Sequence, residues 1–215
     1  SRRIFDKVNK SVSDGSSNKY KIININVEEK PTGEITAGAG FGTSGEVIEF
    51  SVRENNYLGK GLGVDTAISL SSESIVGKFN VTNPNYNNSD KSISFGLQAL
   101  ETDKLTNFGY KSKKIGGSIG TKFEYLEDFN LGLSTSLFVE NIETDSNAST
   151  RQKKQKGDYF DTYLDLKFDY DKRNQRFKTT EGYRSLYSIG LPIISEKNTV
   201  NNYYNYKIFS ELYEE

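Results

Sequence analysis

The 215-residue sequence contains neither cysteine nor histidine. Without cysteine the chain can form no disulfide framework, thiolate metal site or cysteine nucleophile. Without histidine it lacks the commonest general base and the commonest transition-metal ligand. The composition therefore argues against metal-assisted hydrolysis and against serine–histidine catalysis.

The chain also lacks a charge excess and a long apolar run. Its 28 Lys and Arg residues against 29 Asp and Glu residues leave no bulk charge to attract nucleic acid, so we predict no nucleic-acid partner. A mean hydropathy of -0.66 argues against a transmembrane helix but leaves a membrane β-barrel open. With only 3 prolines, 14 tyrosines, 13 phenylalanines and 19 glycines, the chain is predicted to be all-β.

Both ends of the sequence are abrupt. Ser1-Arg2-Arg3 is not followed by the apolar core of a signal peptide, and residues 4–8 already alternate like a strand. The chain ends at Leu212-Tyr213-Glu214-Glu215 without a turn. We therefore expect a piece of a longer protein, cut at both ends.

The stretch Val27–Thr43 joins two kinds of β structure. Before it, residues 4–12 and 20–27 alternate as two strands around a polar turn, which predicts a hairpin too small to be stable alone. Pro31 cannot donate to a sheet ladder and Gly33 relaxes the backbone, so one sheet is expected to end here and another to begin.

After Gly33 the chain repeats one pattern of alternating runs. Ten strands are predicted: Gly33–Thr43, Glu46–Glu54, Leu62–Leu70, Ile75–Thr82, Ser92–Glu101, Ile115–Tyr125, Phe129–Thr144, Tyr159–Asp171, Gly182–Ile194 and Asn202–Tyr213. Runs of about ten residues are the length at which a tilted strand crosses a bilayer. Soluble antiparallel sheets alternate too, but here the polar parity is rich in Gly, Ser and charge, and aromatic residues recur near strand ends.

The predicted connections differ in length between the two sides. If the first barrel strand starts in the periplasm, the connections 71–74, 102–114, 145–158 and 195–201 lie outside, after a tight turn at Thr43-Ser44-Gly45. The connections 55–61, 83–91, 126–128 and 172–181 then lie on the periplasmic side. The two longest polar loops, with their basic runs Lys111–Lys114 and Arg151–Lys156, fall outside. Long outer loops and short periplasmic turns are typical of outer-membrane barrels, although 172–181 is long for a turn.

Three stretches could carry chemistry. Gly38-x-Gly40-x-Gly42 looks like a phosphate loop but lacks the strand–turn–helix context and the lysine. Asp169, Asp171, Asp158 and Asp161 fit a functional carboxylate pair or a calcium site, or they are lumen-facing and turn carboxylates paired with Lys167, Lys172, Arg173 and Arg176. We prefer the last interpretation, because runs of charge are usually solvated or mutually paired. The basic run 151–156 fits either contact with lipid phosphates or a solvated loop tip.

Several motifs resemble one family. Glu28–Glu34, Gly38–Thr43, Glu54–Gly61, Val81–Pro84 and Tyr170–Phe177 with Thr180–Tyr183 are similar, in this order, to segments of the outer-membrane protein assembly factor BamA family. The resemblance covers essentially the whole chain. It implies that residues 1–30 are the C-terminal hairpin of a periplasmic POTRA module. It also implies that residues 31–215 are the first ten strands of an antiparallel up-and-down transmembrane β-barrel that has sixteen.

The resemblance also implies a function. Family members fold and insert β-barrel proteins into the outer membrane of Gram-negative bacteria without ATP, with no catalytic residue, metal or cofactor implied. Expected partners are outer-membrane lipid, unfolded β-barrel clients and accessory assembly lipoproteins. The first barrel strand is implied to form a lateral gate that offers an edge to client strands, and its residues are Gly33, Glu34, Ile35, Thr36, Ala37, Gly38, Ala39, Gly40 and Phe41.

Other functions stay open on the sequence alone. The same fold would serve a transport barrel of two-partner secretion or autotransporter assembly. A passive channel or a soluble β-sandwich would need no periplasmic module, and the hairpin before Pro31 argues against the channel.

Overall fold

The computed structural model describes residues 5–17, 19–42, 45–196 and 199–211. The strands are β1 (Phe5–Asp14), β2 (Lys21–Glu29), β3 (Gly33–Gly42), β4 (Gly45–Tyr57), β5 (Leu62–Ser71), β6 (Ser74–Asn83), β7 (Ser92–Lys104), β8 (Tyr110–Leu126), β9 (Phe129–Thr144), β10 (Gly157–Asp171), β11 (Gly182–Ile194) and β12 (Asn201–Phe209). Two one-turn helices, α1 (Leu105–Phe108) and α2 (Thr150–Lys153), and a 3-10 turn at Tyr86–Asn88 lie in the connections. No helix in these ranges is both long and apolar enough to cross a membrane.

The strands form two separate sheets. β1 and β2 pair as an antiparallel hairpin, and β3 to β12 form a ten-stranded antiparallel sheet in which every strand lies beside its neighbours in sequence. The ten strands predicted after the joint are thus confirmed. Pro31 lies between β2 and β3, where it interrupts no ladder.

The register places the apolar parity of neighbouring strands on one side of the large sheet. Ile48 lies opposite Leu70, and Phe50 opposite Ile68. We call this side the apolar face and the opposite side the polar face. Because paired residues of an antiparallel ladder share a face, one strand's alternation extends across the whole sheet.

The apolar face is not covered by protein. Phe50 and Leu137 are each 46% exposed, and within the described residues Ala148 is the only buried apolar side chain. The buried polar side chains are Asp161 and Asp169, at 3% and 4% exposure, both on the polar face. A soluble sandwich would show the reverse arrangement, with the apolar face packed against a second layer.

The height of the apolar face matches a bilayer. It extends from Phe129 to Val139 on β9 and from Phe160 to Tyr170 on β10. At a rise of about 3.3 Å per residue these stretches are about 33 Å long. A strand tilt of about 40° reduces this length to about 25 Å along the membrane normal, the usual height of the lipid-facing band of an outer-membrane barrel.

One predicted loop is wrong. Residues 102–114 were expected to be an external loop, but β7 continues to Lys104 and β8 begins at Tyr110, so the connection is little more than α1. The Lys111 ammonium group lies 2.6 Å from Glu101 and 2.7 Å from Asp103. Cross-strand pairs of opposite charge support a ladder beyond the lipid band, and these charges had suggested a loop in the sequence.

Candidate functional site

The predicted gate strand lies at one edge of the large sheet. β3 pairs with β4 from Gly33 opposite Glu54 to Gly42 opposite Gly45, and no described strand pairs with its other side. All ten of its residues are exposed. A Cβ atom added at Gly38 or Gly40 would meet no atom within 4 Å. The strand therefore has an open backbone edge and few side-chain contacts.

A hydrogen-bonded group, which we call the root cluster (Thr32, Glu54, Asn55 and Asn56), fixes the start of this strand. The Thr32 hydroxyl donates to Oε1 of Glu54, which also accepts from the Asn56 backbone N–H at 2.7 Å. The Thr32 carbonyl accepts from the Asn55 side chain at 3.1 Å and from its backbone N–H at 3.4 Å. The sequence motif Glu54–Gly61 pointed to the family but did not predict this cluster.

The turn after β4 supports the root cluster. Asn56 Oδ1 accepts from the Gly61 N–H at 2.6 Å, and the β4–β5 pairing shifts register between Glu54 and Tyr57. Leu58, Gly59 and Gly61 have positive φ angles between 54° and 68°. Glycine adopts this backbone without steric cost, which explains two glycines in so short a turn.

Ion pairs cross the polar face near the connection between β10 and β11. Arg184 donates two 2.8 Å hydrogen bonds to Asp169, whose carboxylate also lies 3.5 Å from the Lys122 ammonium group. Arg173 makes a similar two-bond contact to Asp171 at 2.7 Å. Bidentate arginine–carboxylate contacts are short, strong and directional. This network ties β8, β10 and β11 together across the intervening β9.

The long connection 172–181 is ordered by its own side chains. Asn174 donates to the Thr180 hydroxyl at 2.7 Å, and its carbonyl oxygen accepts from the backbone of Gln175 at 2.9 Å. The ammonium group of Lys172 lies 2.7 Å from Asp128, and this hydrogen bond raises the pKa of Lys172. These contacts stabilise a connection that is longer than the usual short turn between barrel strands.

The aspartates considered for calcium have separate partners. Asp161 accepts from Ser195 at 2.5 Å and Asp158 from Asn141 at 2.7 Å. Among the described residues no group of three or more acidic side chains is arranged to hold a metal ion. Ion pairing was predicted correctly for Asp171 with Arg173. For Asp169 the partners are Arg184 and Lys122, which lie far away in sequence.

The two other stretches also have clear positions. Gly38 and Gly40 lie in the middle of β3, so they do not open a helix as a phosphate loop would. The basic run 151–156 begins within α2 (Thr150–Lys153), which is capped by reciprocal hydrogen bonds between Ser149 and Gln152. Gln152 faces a cavity together with Glu140 of the polar face. This position is on the side away from the lipid-facing band.

Together these features define a class of protein. Ten meandering antiparallel strands carry an uncovered apolar face of bilayer height and a polar face on which the carboxylate of Asp169 is buried and ion-paired. Even a hydroxyl on the apolar face is satisfied, since Thr135 donates to the Tyr163 carbonyl at 3.1 Å. The chain forms an incomplete wall of an antiparallel transmembrane β-barrel.

The comparisons with known proteins identify the family. Residues 56–213 match the Omp85 superfamily domain, and the chain belongs to that superfamily. The fold is similar to the crystal structure of BamA from Haemophilus ducreyi lacking POTRA domains 1-3, with a TM-score of 0.75 and 20% sequence identity. The match covers 95% of this chain but 42% of that one, so the chain spans less than half of the solved protein.

Proposed function

We propose that this chain is part of an outer-membrane protein assembly factor that folds and inserts β-barrel proteins into the outer membrane of Gram-negative bacteria. The observation that carries the proposal is the glycine-rich strand β3: it and β12 are the two edge strands of the sheet, and β3 is the one in which Gly38 and Gly40 leave open space beside the backbone. Its residues Gly33 to Phe41 are proposed as the gate strand at which a client strand adds.

The physical basis is hydrogen bonding in lipid. A polar backbone group without a partner costs several kcal/mol in hydrocarbon, so both a free edge and an unfolded client strand are unfavourable there. Pairing the client strand with β3 satisfies both sets of groups by β-augmentation. The driving force then comes from client folding itself, and the proposed function needs neither ATP nor a catalytic residue.

We propose further that residues 1–30 are the C-terminal hairpin of a periplasmic POTRA module and residues 31–215 the N-terminal portion of the barrel. The separate β1–β2 sheet supports this division. One face of the hairpin is apolar and exposed, with Val8 opposite Val27 and Val12 opposite Ile23. Such a face is suited to packing within a larger module.

The proposed partners follow from the two faces and the edge. Outer-membrane lipid contacts the apolar face, unfolded β-barrel proteins pair with β3, and accessory assembly lipoproteins bind on the periplasmic side. A second candidate is the transport barrel of two-partner secretion or autotransporter assembly. The charged and polar residues of the polar face would equally suit a passage for a secreted chain.

The experiment uses the full-length protein in phospholipid vesicles with an unfolded β-barrel client. A disulfide that joins β3 to the strand completing the barrel should stop client insertion, and reduction should restore it. The matched control is a disulfide between Thr36→Cys and Ser51→Cys, which face each other within the β3–β4 pair and leave the outer edge free. Undiminished insertion with the edge closed would refute the gate role. Passage of a soluble polypeptide instead would favour the transport barrel.

A further inference from the structure

Side-chain packing does little to fix β3 against β4. The side chains of Ala37 and Ala39 are small, and Gly38 and Gly40 have open space where a Cβ would be. A shift by two residues would keep every side chain on its own face and would exchange Ala37 for Ala39 in the middle of the strand, so that only Ile35 and Phe41 near its ends oppose the shift through their size. Glycine-rich strands with such small side chains at their centre have a weakly specified register.

The position of β3 is therefore set at its two ends. At one end Gly42 lies opposite Gly45, so only two residues connect the paired strands. At the other end the root cluster joins Thr32 to the segment after β4. Glu54 is central because one of its oxygens accepts both from the Thr32 hydroxyl and from the Asn56 backbone.

We propose that Glu54 is a positioning residue, which holds the start of β3 in register and thereby sets where the free edge lies for an incoming client strand. This inference rests on the proposed function. Glu54 has no contact with the client in this scheme and acts through Thr32 and Asn56. Only Lys30 and Pro31 separate β2 from Thr32, so the same cluster fixes where the hairpin joins the sheet.

The test compares variants of the full-length protein in phospholipid vesicles by hydrogen exchange and by the rate of client insertion. Glu54→Ala removes the shared acceptor and should speed exchange over residues 33–37 about tenfold, with residues 38–42 unchanged. Client insertion should slow several-fold. Glu54→Gln keeps the Oε1 acceptor and should stay within about twofold of wild type in both measurements.

Two further variants keep the test independent of folding defects. Thr32→Val removes only the hydroxyl donor and should give an intermediate exchange rate. Glu49→Ala is the matched control, because Glu49 is on the same strand and accepts one 3.3 Å hydrogen bond from Ser69. It should leave both exchange and insertion unchanged.

A rescue experiment distinguishes the position of β3 from the charge of Glu54 as the cause of the slower client insertion. Thr32→Cys with Asn55→Cys, added to Glu54→Ala, should restore insertion when oxidised, because a covalent bond then replaces the lost hydrogen bonds. The proposal is overturned if hydrogen exchange over residues 33–37 is unchanged in Glu54→Ala. It is also overturned if Glu54→Gln slows client insertion as much as Glu54→Ala does, or if Glu54→Ala speeds exchange without slowing insertion. If the wild type inserts no client, the proposed function fails, and the exchange pattern alone decides whether Glu54 anchors the strand.

Discussion

Replacing Asp169 should weaken the wall of the barrel more than replacing any exposed carboxylate. Asp169 is 4% exposed and accepts two 2.8 Å hydrogen bonds from Arg184. Without the carboxylate, Arg184 keeps only Asp171, at 4.0 Å. Breaking a fully buried pair costs about 3–5 kcal/mol and breaking an exposed pair about 0–1 kcal/mol.

The structure places this site between those limits. The side chains of Arg184 and Lys122 are 35% and 47% exposed, so water can solvate the cations that Asp169→Ala leaves behind. We therefore expect a loss of about 2 kcal/mol in the free energy of unfolding. The measurement is urea unfolding of the full-length protein in phospholipid vesicles. The folded fraction is monitored by far-UV circular dichroism and by the heat-dependent shift in gel mobility.

Asp65 supplies the matched control for this measurement. It forms a 2.7 Å contact with Arg53 on the same face, but these side chains are 41% and 60% exposed. Asp65→Ala should cost less than about 1 kcal/mol. Equal losses for Asp65→Ala and Asp169→Ala would refute the argument that burial on the polar face gives the Asp169 network its strength.

Three further predictions test other parts of the fold. Leu137→Arg, on the apolar face, should cost about 2–4 kcal/mol in folding into vesicles, whereas Ser136→Arg on the polar face should cost far less; equal costs would contradict the assignment of faces. The hydrogen bond from Lys104 lowers the pKa of Glu73 below its ordinary value of 4.5, so the charged Glu73 stabilises the β5–β6 turn above that pH. This contribution should be lost as pH falls through the lowered pKa, and hydrogen exchange at α1 should then become faster. If exchange at α1, corrected for the intrinsic effect of pH, does not change over this range, the prediction is wrong. Gly182→Ala should destabilise by more than about 1 kcal/mol, seen as protease cleavage within 172–181, because φ is +101° and the new Cβ would lie 2.1 Å from a carbonyl oxygen.

The alternation of side chains made the strands predictable. Each run after Gly33 has a single period, so the ten strands and their faces could be predicted without knowing any contact. The full length of the longest strands could not be predicted from the alternation. Lys111 and Lys113 looked like loop residues because a charge run is usually solvated, and only the pairing with Glu101 shows that the ladder continues through them.

The contacts around the candidate site were less predictable for a related reason. Arg184 and Asp169 are 15 positions apart, and the bond between them depends on the register of β10 against β11. Thr32 and Glu54 meet only because the register of β3 against β4 ends at Gly33. The family resemblance implied which strand forms the gate edge, but the partners of a residue across a ladder can be predicted only when the register is known.

The uneven distribution of these contacts bears on function. The long strands β8, β10 and β11 carry the ion-pair network of Asp169, whereas all ten residues of β3 are exposed and β3 pairs with one neighbour, β4, in the described sheet. Local opening is easiest where buried contacts are few. A wall that stays folded while one edge opens is what client pairing by β-augmentation would require, since the edge must exchange partners without unfolding the barrel. Under the proposed function, the sparse packing of β3 would let its backbone edge exchange partners, while the root cluster holds the start of the strand.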